Sequence, residues 1–423
     1  MTAQTDRTPR GLVLQPFRAL RPTAGEATLG TLLCPPYDVI DAAERASLLA
    51  GNADNAVAVI LPEADGDSDR YEHAAHLLEH WVEDHRYTVD DTAALYVYEM
   101  RDGRGAATRG LVGAVELRDP ADGVILPHEN TMAGPVADRL ALMTATEANV
   151  EPIFLVYDGG GPASKAVRDA DGAAAIARAS TPDGISHTLW AITEAHLLED
   201  IARDLRERRA LIADGHHRYA TYRELQHRRA TADGAGPWDY GLTLLVDSTS
   251  YGPQVHAIHR VLTGLGIVDA VERAQSWGVI TSEATDPDEG LRLAGEEHGF
   301  ASVLTDGVRT VLLTDGEGRL GSAIQREDEP AIVADLDVTV LHRGLVQEVW
   351  QLPDSVEFVG YAHSVDQAIG QARSSGGTAV LMRATPVSAV AAVAAAGARM
   401  PRKSTLFTPK PASGLVMRRF RDV

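Results

Sequence analysis

The fold is decided by the stretch Leu211-Ile212-Ala213-Asp214-Gly215-His216-His217-Arg218-Tyr219. Its apolar start predicts a buried strand, the glycine predicts a turn, and the charged amphipathic segment that follows predicts a helix. Such a turn directs backbone N–H groups and the positive end of the helix dipole at one point, where the histidine and arginine side chains can add further donors. The stretch therefore predicts a site for an anion, above all a phosphate. The alternative is that these polar side chains are ordinary surface residues of a turn.

The composition is that of a soluble globular protein with room for two or three domains, since the chain has 423 residues, of which 44% are hydrophobic and 23% charged. The net charge of −21 predicts a surface that repels nucleic acid and anionic membranes, so an anionic ligand needs a locally basic pocket. One cysteine, Cys34, leaves no intrachain disulfide, and the chain shows neither a signal peptide in residues 1–10 nor a membrane-spanning run. We expect a cytoplasmic protein, with a homo-oligomer left open.

Strand and helix patterns are mixed along the chain. Residues 57–61 predict a strand, residues 69–86 an amphipathic helix, and residues 94–101 with 111–117 a hairpin-like pair of strands. Hairpins together with crossovers favour an α/β or α+β fold with a mixed sheet. We expect a nucleotide-binding catalytic domain over residues 1–265 and a second α/β domain over residues 266–423. The tail of the second domain, residues 400–416, is a candidate to return to the active site.

Four separated motifs resemble, in the same order, those of a family of prokaryotic proteins known only as a domain of unknown function. The motifs are Pro35-Pro36-Tyr37-Asp38-Val39, Ile125-Leu126-Pro127-His128-Glu129, Ala213-Asp214-Gly215-His216-His217-Arg218-Tyr219 and Met400-Pro401-Arg402-Lys403-Ser404-Thr405. The resemblance covers nearly the whole chain. It implies membership of that family and no particular reaction.

The turn at residues 214–218 also resembles the phosphate-binding turn of the ParB and sulfiredoxin superfamily, which ends in arginine and starts a helix. That superfamily includes nucleotide-binding partition proteins, sulfiredoxins and kinases of free serine. Sulfiredoxins carry a cysteine where His216 or His217 stands here, and a chain of charge −21 offers no basic DNA-binding helices. The resemblance therefore implies a ParB/sulfiredoxin-like nucleotide-binding core that phosphorylates a small hydroxyl-bearing metabolite, serine being the leading candidate.

The residues expected to serve a phosphotransferase follow from the charges that the reaction needs. Backbone amides and cations would hold the phosphates of ATP or ADP with Mg²⁺, and a carboxylate would orient or deprotonate the acceptor hydroxyl. Candidates for the nucleotide are Asp214, Gly215, His216, His217, Arg218, Lys403 and Lys410. Candidates for catalysis are Asp38, Glu129, His216 and His217. Candidates for the substrate are Tyr37, His128, Arg139 and Arg260.

Several of these assignments have alternatives. Asp214 is the candidate ligand for Mg²⁺, and it can equally serve the turn through its side chain. Lys403 and Lys410 stand out because the chain has only one other lysine, Lys165, although a basic surface segment would look the same.

Two other functions stay open. One is a metal-dependent hydrolase, with His128, Glu129, Asp214, His216 and His217 around a cation; no two of them form a helical i, i+4 ligand pair. The other is a nucleotide-sensing module that binds without turnover and is no enzyme.

Overall fold

The computed structural model describes residues 11–64, 66 and 69–422, so the segment 1–10, where no signal peptide is predicted, lies outside the described residues. The chain divides into two compact units. Unit 1 comprises the described residues up to Pro127, Thr131–Pro253 and the described residues from Pro409 onward; unit 2 comprises His128–Asn130 and Gln254–Thr408. The last part of the chain therefore belongs to unit 1.

The elements are numbered in chain order. The strands are β1 (Leu14–Gln15), β2 (Leu20–Pro22), β3 (Tyr87–Val89), β4 (Leu95–Arg101), β5 (Ala107–Glu116), β6 (Ile125–Leu126), β7 (Ala148–Asn149), β8 (Ile153–Tyr157), β9 (Ala177–Ser180), β10 (Ser186–Ile192), β11 (Ala210–Asp214), β12 (Tyr240–Asp247), β13 (Gln254–His256), β14 (His259–Leu262), β15 (Ile280–Ala284), β16 (Phe300–Thr305), β17 (Thr310–Asp315), β18 (Val359–Ala362), β19 (Thr378–Met382), β20 (Leu406–Thr408) and β21 (Arg418–Arg419). The helices are α1 (Glu26–Leu32), α2 (Ala42–Gly51), α3 (Val57–Ile60), α4 (Arg70–Glu83), α5 (Ala133–Thr146), α6 (Pro162–Asp169), α7 (Ala195–Leu205), α8 (His216–Ala232), α9 (Ile267–Ser276), α10 (Pro287–Glu296), α11 (Arg319–Ile324), α12 (Ala331–Ala334), α13 (Asp337–Thr339), α14 (Val365–Ser375) and α15 (Val387–Ala395).

Unit 1 is built on a mixed sheet, which confirms the predicted fold class. Within the described residues, nine strands form it in the order β6-β11-β8-β12-β5-β4-β10-β9, with β1 added beside β5. The pairs β6–β11 and β8–β12 are parallel and the other neighbours are antiparallel. The predicted hairpin is present as β4 and β5, and buried apolar residues of the sheet and of α8 share one core. The sheet holds β11 between β6 and β8 and so fixes where α8 begins.

A second core of unit 1 shows where sequence reasoning was right and where it was wrong. The predicted amphipathic helix is α4, which begins where the Asp69 side chain accepts a hydrogen bond from Tyr71 N–H. Residues 57–61, predicted to be a strand, contain the short helix α3. Buried Asn55 accounts for the difference, because its side chain accepts from Val57 N–H (2.9 Å) and donates to the Thr31 and Leu33 carbonyls. A short apolar run has no periodicity that could reveal this.

Unit 2 has its own sheet and core. Six strands pair antiparallel in the order β15-β17-β16-β19-β14-β18, as far as the described residues show, and β13 pairs separately with β20. Helices α9 and α10 and a π-helix over Val340–Val349 contribute to the unit's two apolar clusters. The second part of the chain is therefore also a mixed helix-and-strand unit.

No helix in the described part of the chain is both long enough and apolar enough to cross a membrane.

Candidate functional site

The predicted strand, turn and helix at residues 211–219 are present in unit 1. Strand β11 ends at Asp214, Gly215 adopts a left-handed conformation with φ of 90°, and α8 begins at His216. The first hydrogen bond of the helix runs from Tyr219 N–H to the Gly215 carbonyl (2.8 Å). The N–H groups of residues 216–218 precede this bond, so they take no part in the helix's own backbone hydrogen bonds. A Cβ at residue 215 would also lie 3.0 Å from the Arg218 guanidinium. Glycine is required here by conformation and by space.

Arg218 lies beneath the turn rather than at its surface. Its side chain is 4% exposed and forms an ion pair with Asp214, and a second guanidinium nitrogen donates to the Pro152 carbonyl. Burial opposes the charge, but nearby carboxylates, Asp214 first among them, raise the pKa of Arg218 above its ordinary value. The guanidinium therefore holds the aspartate that ends β11. Sequence reasoning had expected it to hold a phosphate directly.

Lys410 brings the end of the chain to the same place. Its ammonium nitrogen lies 2.6 Å from Asp214 Oδ1 and 3.2 Å from Asp38 Oδ2. Burial favours the neutral amine, but the two carboxylates outweigh it and raise the pKa of Lys410. The side chain of Asp38 is 34% exposed, against 12% for Asp214, so Asp38 is the more accessible of the two acids. Three of the predicted residues thus form one charged cluster, which we call the Asp–Lys–Asp cluster.

The segment that carries Asp38 is held in place by contacts of Tyr37 with Glu151 and Arg139. Pro35 and Pro36 lead into a 3₁₀ turn over Tyr37–Val39. Tyr37 N–H donates to Glu151 Oε1 (3.0 Å), and its ring lies under the Arg139 guanidinium, 4.3 Å away. Burial raises the pKa of Tyr37 to about 12, so the phenol stays protonated at neutral pH. Arg139 is itself buried on Asp138 and the Ile60 carbonyl, where it supports Tyr37.

Glu151 is a member of this site that sequence reasoning missed. It is buried, and besides Tyr37 N–H its Oε1 accepts from the Ser413 hydroxyl (3.2 Å). The only available signal is an acidic residue between Val150 and Pro152 in an otherwise apolar stretch, where an unpaired carboxylate would be costly. No local pattern identifies its partners.

The two histidines of the turn differ in their surroundings. His216 is buried at the first position of α8, whereas His217 is half-buried. The Nε2 atom of His217 accepts a hydrogen bond from Met132 N–H (3.1 Å), so neutral His217 carries its proton on Nδ1. Nδ1 is therefore the atom through which His217 can donate.

The remaining predicted residues belong to unit 2. His128 is fully buried, with Nε2 3.1 Å from Thr405 Oγ1, and its carbonyl accepts from Met400 N–H (2.8 Å). The second and fourth motifs therefore meet here. Glu129 is half-buried, and Lys403 is exposed with a left-handed backbone (φ of 56°).

Arg260 is the fourth of these unit 2 residues. Its guanidinium donates to the Lys403 carbonyl (2.9 Å) and to His342 Nε2 (3.0 Å). Burial lowers the pKa of Arg260 to about 10. Its polar contacts are thus made within the protein.

The structure also bears on metal binding. Among the described residues, no group of three or more histidine, cysteine or acidic side chains is arranged to hold a metal ion. Asp38 and Asp214 converge on one ammonium group, and two carboxylates completed by substrate phosphates are a common environment for Mg²⁺. These carboxylates therefore fit a metal ion that takes its other ligands from outside the protein.

Comparisons with solved structures return distant similarities. A free serine kinase in complex with AMP has 16% identity and a TM-score of 0.35, with 67% of this chain and 83% of that chain covered. A conserved hypothetical protein from Pyrococcus furiosus has 16% identity and a TM-score of 0.32, with 68% and 88% covered. SbnI with C-terminal truncation from Staphylococcus aureus has 12% identity and a TM-score of 0.36, with 72% and 86% covered. No curated protein matches this chain.

A family model gives the firmer result. The model of the DUF1015 family, described as protein of unknown function, matches residues 14–339. That range includes three of the four motifs and confirms the resemblance drawn from them. The chain belongs to the DUF1015 family.

Proposed function

We propose that unit 1 binds the phosphates of ATP or ADP at the start of α8 and transfers a phosphoryl group to the hydroxyl of a small metabolite, with serine as the leading candidate. The observation that carries the proposal is the Asp–Lys–Asp cluster: Lys410 lies within 3.2 Å of two carboxylates beside the turn that begins α8. A helix N-terminus and a buried ammonium group both favour a bound anion, and the acids offer a base and a metal ligand.

Each member of the cluster has a task in this proposal. The N–H groups of residues 216–218 and the Lys410 ammonium hold the phosphates and stabilise the charge that develops on them. Asp38, the more exposed acid, takes the proton from the acceptor hydroxyl as its oxygen attacks phosphorus and the bond to the departing nucleotide breaks. Arg218 keeps Asp214 in place from beneath, and His217 donates to a phosphate oxygen through Nδ1.

Mg²⁺ fits the same acids. Asp214 would hold it, which leaves Asp38 to act as the base, and when bound it would neutralise phosphate charge. The competing hydrolase gains no support from an observation, because no group of three or more histidine, cysteine or acidic side chains among the described residues is arranged to hold a metal ion. The sensing module differs from the kinase only in lacking turnover, so one experiment can separate them.

Phosphorus NMR tests the proposal. The protein is mixed with Mg²⁺, ATP or ADP, and a pool of hydroxy amino acids, and compared with Lys410→Met and with the matched control Lys165→Met. Lys165 is exposed and pairs only with Asp169 in the following turn of α6. We expect a phosphomonoester signal from the wild type and the control that falls by at least about a hundredfold in Lys410→Met, typical of losing one preorganised charge contact.

Three other results are informative. Nucleotide binding without a new signal would establish the sensing module and refute the kinase. An equal signal from Lys410→Met would remove the reaction from this cluster. Failure of the wild type to bind nucleotide would refute the whole proposal.

A further inference from the structure

We infer that Glu151 is the positioning residue of this site: it fixes Asp38, Lys410 and Arg218 relative to one another without contacting the ligand. The inference rests on the proposed function for its catalytic consequence. Its structural consequence can be measured independently. Glu151 lies immediately ahead of Pro152 and β8, and 3% of it is exposed.

One carboxylate oxygen joins the two segments that supply the Asp–Lys–Asp cluster. Glu151 Oε1 accepts from Tyr37 N–H (3.0 Å) and from the Ser413 hydroxyl (3.2 Å). Tyr37 immediately precedes Asp38, and Ser413 lies three residues after Lys410. Asp38 and Lys410 are 372 residues apart in the sequence. The carboxylate of Glu151 binds both of their segments, and it therefore sets the distance between them in the fold.

The other side of Glu151 faces the arginines. Its Oε2 lies 3.7 Å from Arg139 Nη1, and its charge contributes to the raised pKa of Arg218. The main chain takes part as well, since the Glu151 carbonyl accepts from the Tyr222 hydroxyl (2.7 Å) and the next carbonyl, of Pro152, accepts from Arg218. A buried carboxylate needs such compensation, and here the compensating cation is the one that holds Asp214.

A small cavity completes the connection. It has a volume of about 20 Å³ and is lined by Arg139, Glu151, Arg218, Tyr222 and four apolar residues. That volume suffices for one water molecule, which needs two or more polar neighbours. Arg218 Nε is buried and has no hydrogen-bond partner among the described residues. A water in this cavity would satisfy Arg218 Nε and link it to Glu151.

The substitution that isolates the charge is Glu151→Gln. The amide oxygen can still accept from Tyr37 and Ser413, whereas the negative charge opposite the two arginines is lost. Glu147→Gln is the matched control, because Glu147 is exposed and pairs with Arg229 at the surface. The chain has only three lysines, so NMR of ¹⁵N-labelled lysine resolves Lys410.

We expect three results. The crystal structure of the wild type shows a water in the cavity, and that of Glu151→Gln shows Lys410 moved from Asp38 or Asp214. The ¹⁵N signal of the Lys410 ammonium group shifts in Glu151→Gln and not in Glu147→Gln. Phosphoryl transfer slows by about tenfold or more in kcat with a smaller change in KM, as is typical when a supporting residue is lost.

The outcomes separate the two proposals. A wild type without turnover would refute the kinase, while the NMR and the crystal structures would still decide the role of Glu151. An unchanged Lys410 ¹⁵N signal and unchanged Lys410 contacts in Glu151→Gln would overturn the inference. Should Glu151→Gln fail to fold, Ser413→Ala removes only the contact to the tail, and a shifted Lys410 ¹⁵N signal is again the expected result.

Discussion

Arg218 shows how an arginine in the first turn of a helix can be buried against its own strand and turn. Its guanidinium is buried between Asp214 and the Pro152 carbonyl, and Gly215 leaves the space that it fills. In sequence, an arginine at the start of a helix looks the same whether it faces solvent or the core. Its effect is therefore better tested through stability than through ligand binding alone.

We predict that Arg218→Met lowers the free energy of unfolding of unit 1 by about 3–5 kcal/mol, because it removes a buried cation from the Asp214 carboxylate, whose side chain is only 12% exposed. Arg223→Met, on the same helix, removes a partly exposed pair with Asp119 and should cost no more than about 1 kcal/mol. Urea unfolding followed by circular dichroism measures both. Equal losses in the two variants would contradict the buried role of Arg218.

The two C-terminal lysines mark the limit of prediction from residue type. Their rarity singles out Lys403 and Lys410 equally. The structure places Lys410 on Asp38 and Asp214, and it leaves Lys403 exposed in unit 2. Nothing local separates them, because the deciding partners of Lys410 lie about two hundred residues or more earlier in the chain. Glu151 escaped prediction for the same reason.

At the scale of elements, strand β10 carries a buried hydrogen-bond chain. His187 Nδ1 lies 2.8 Å from the Tyr98 hydroxyl on β4, and Nε2 lies 3.0 Å from Thr181 Oγ1. The Tyr98 hydroxyl also accepts from Ala412 N–H (3.2 Å). Burial lowers the pKa of His187 from 6.5 to about 4, so the folded protein keeps this imidazole neutral.

This buried histidine predicts an acid dependence of stability. Below pH 6.5 the unfolded chain takes up a proton that folded His187 refuses until about pH 4, so the free energy of unfolding falls through this window by about 3 kcal/mol from this group. The loss levels off below about pH 4, where both states are protonated. We expect His187→Gln to reduce the loss between pH 7 and pH 4 by that amount in urea unfolding. The same acid dependence in wild type and variant would contradict the assignment.

Strands and helices could be predicted where residues close together in the sequence determine them. The strand, turn and helix at residues 211–219 followed from an apolar run, a glycine and a charged segment, and α4 followed from its periodicity and its N-terminal aspartate. Residues 57–61 failed because the helix there is fixed by Asn55, whose partners Thr31 and Leu33 lie in another part of the chain. Side-chain contacts at long range decide such short apolar segments.

At the scale of the whole molecule, the four motifs are divided between two units. The first and third motifs join Lys410 in unit 1, while His128 and Glu129 of the second join the fourth in unit 2. The order of motifs along the chain gave no indication of this division. It depends on the path of the chain, which enters unit 2 briefly over His128–Asn130, enters it again at Gln254 and returns to unit 1 at Pro409.

The returning tail is part of the core of unit 1. Met417 is fully buried in the cluster that contains Leu78 and Trp81, and its backbone exchanges hydrogen bonds with Leu20 (2.9 and 3.0 Å). We therefore predict that Met417→Ala lowers the free energy of unfolding by about 2–5 kcal/mol, the usual cost of emptying a core site. Val356→Ala, at a position 79% exposed, should change it by less than about 0.5 kcal/mol.

Chemical denaturation of the full chain, followed at the tryptophans, measures both variants. If the tail is integral to unit 1, Met417→Ala shifts the transition of unit 1 as strongly as Leu78→Ala does, because both side chains fill the same cluster. A loss comparable to that of Val356→Ala would mean that the tail is only loosely attached. Lys410 and Ser413 would then lack the fixed support that the Asp–Lys–Asp cluster requires, since both are carried by this segment.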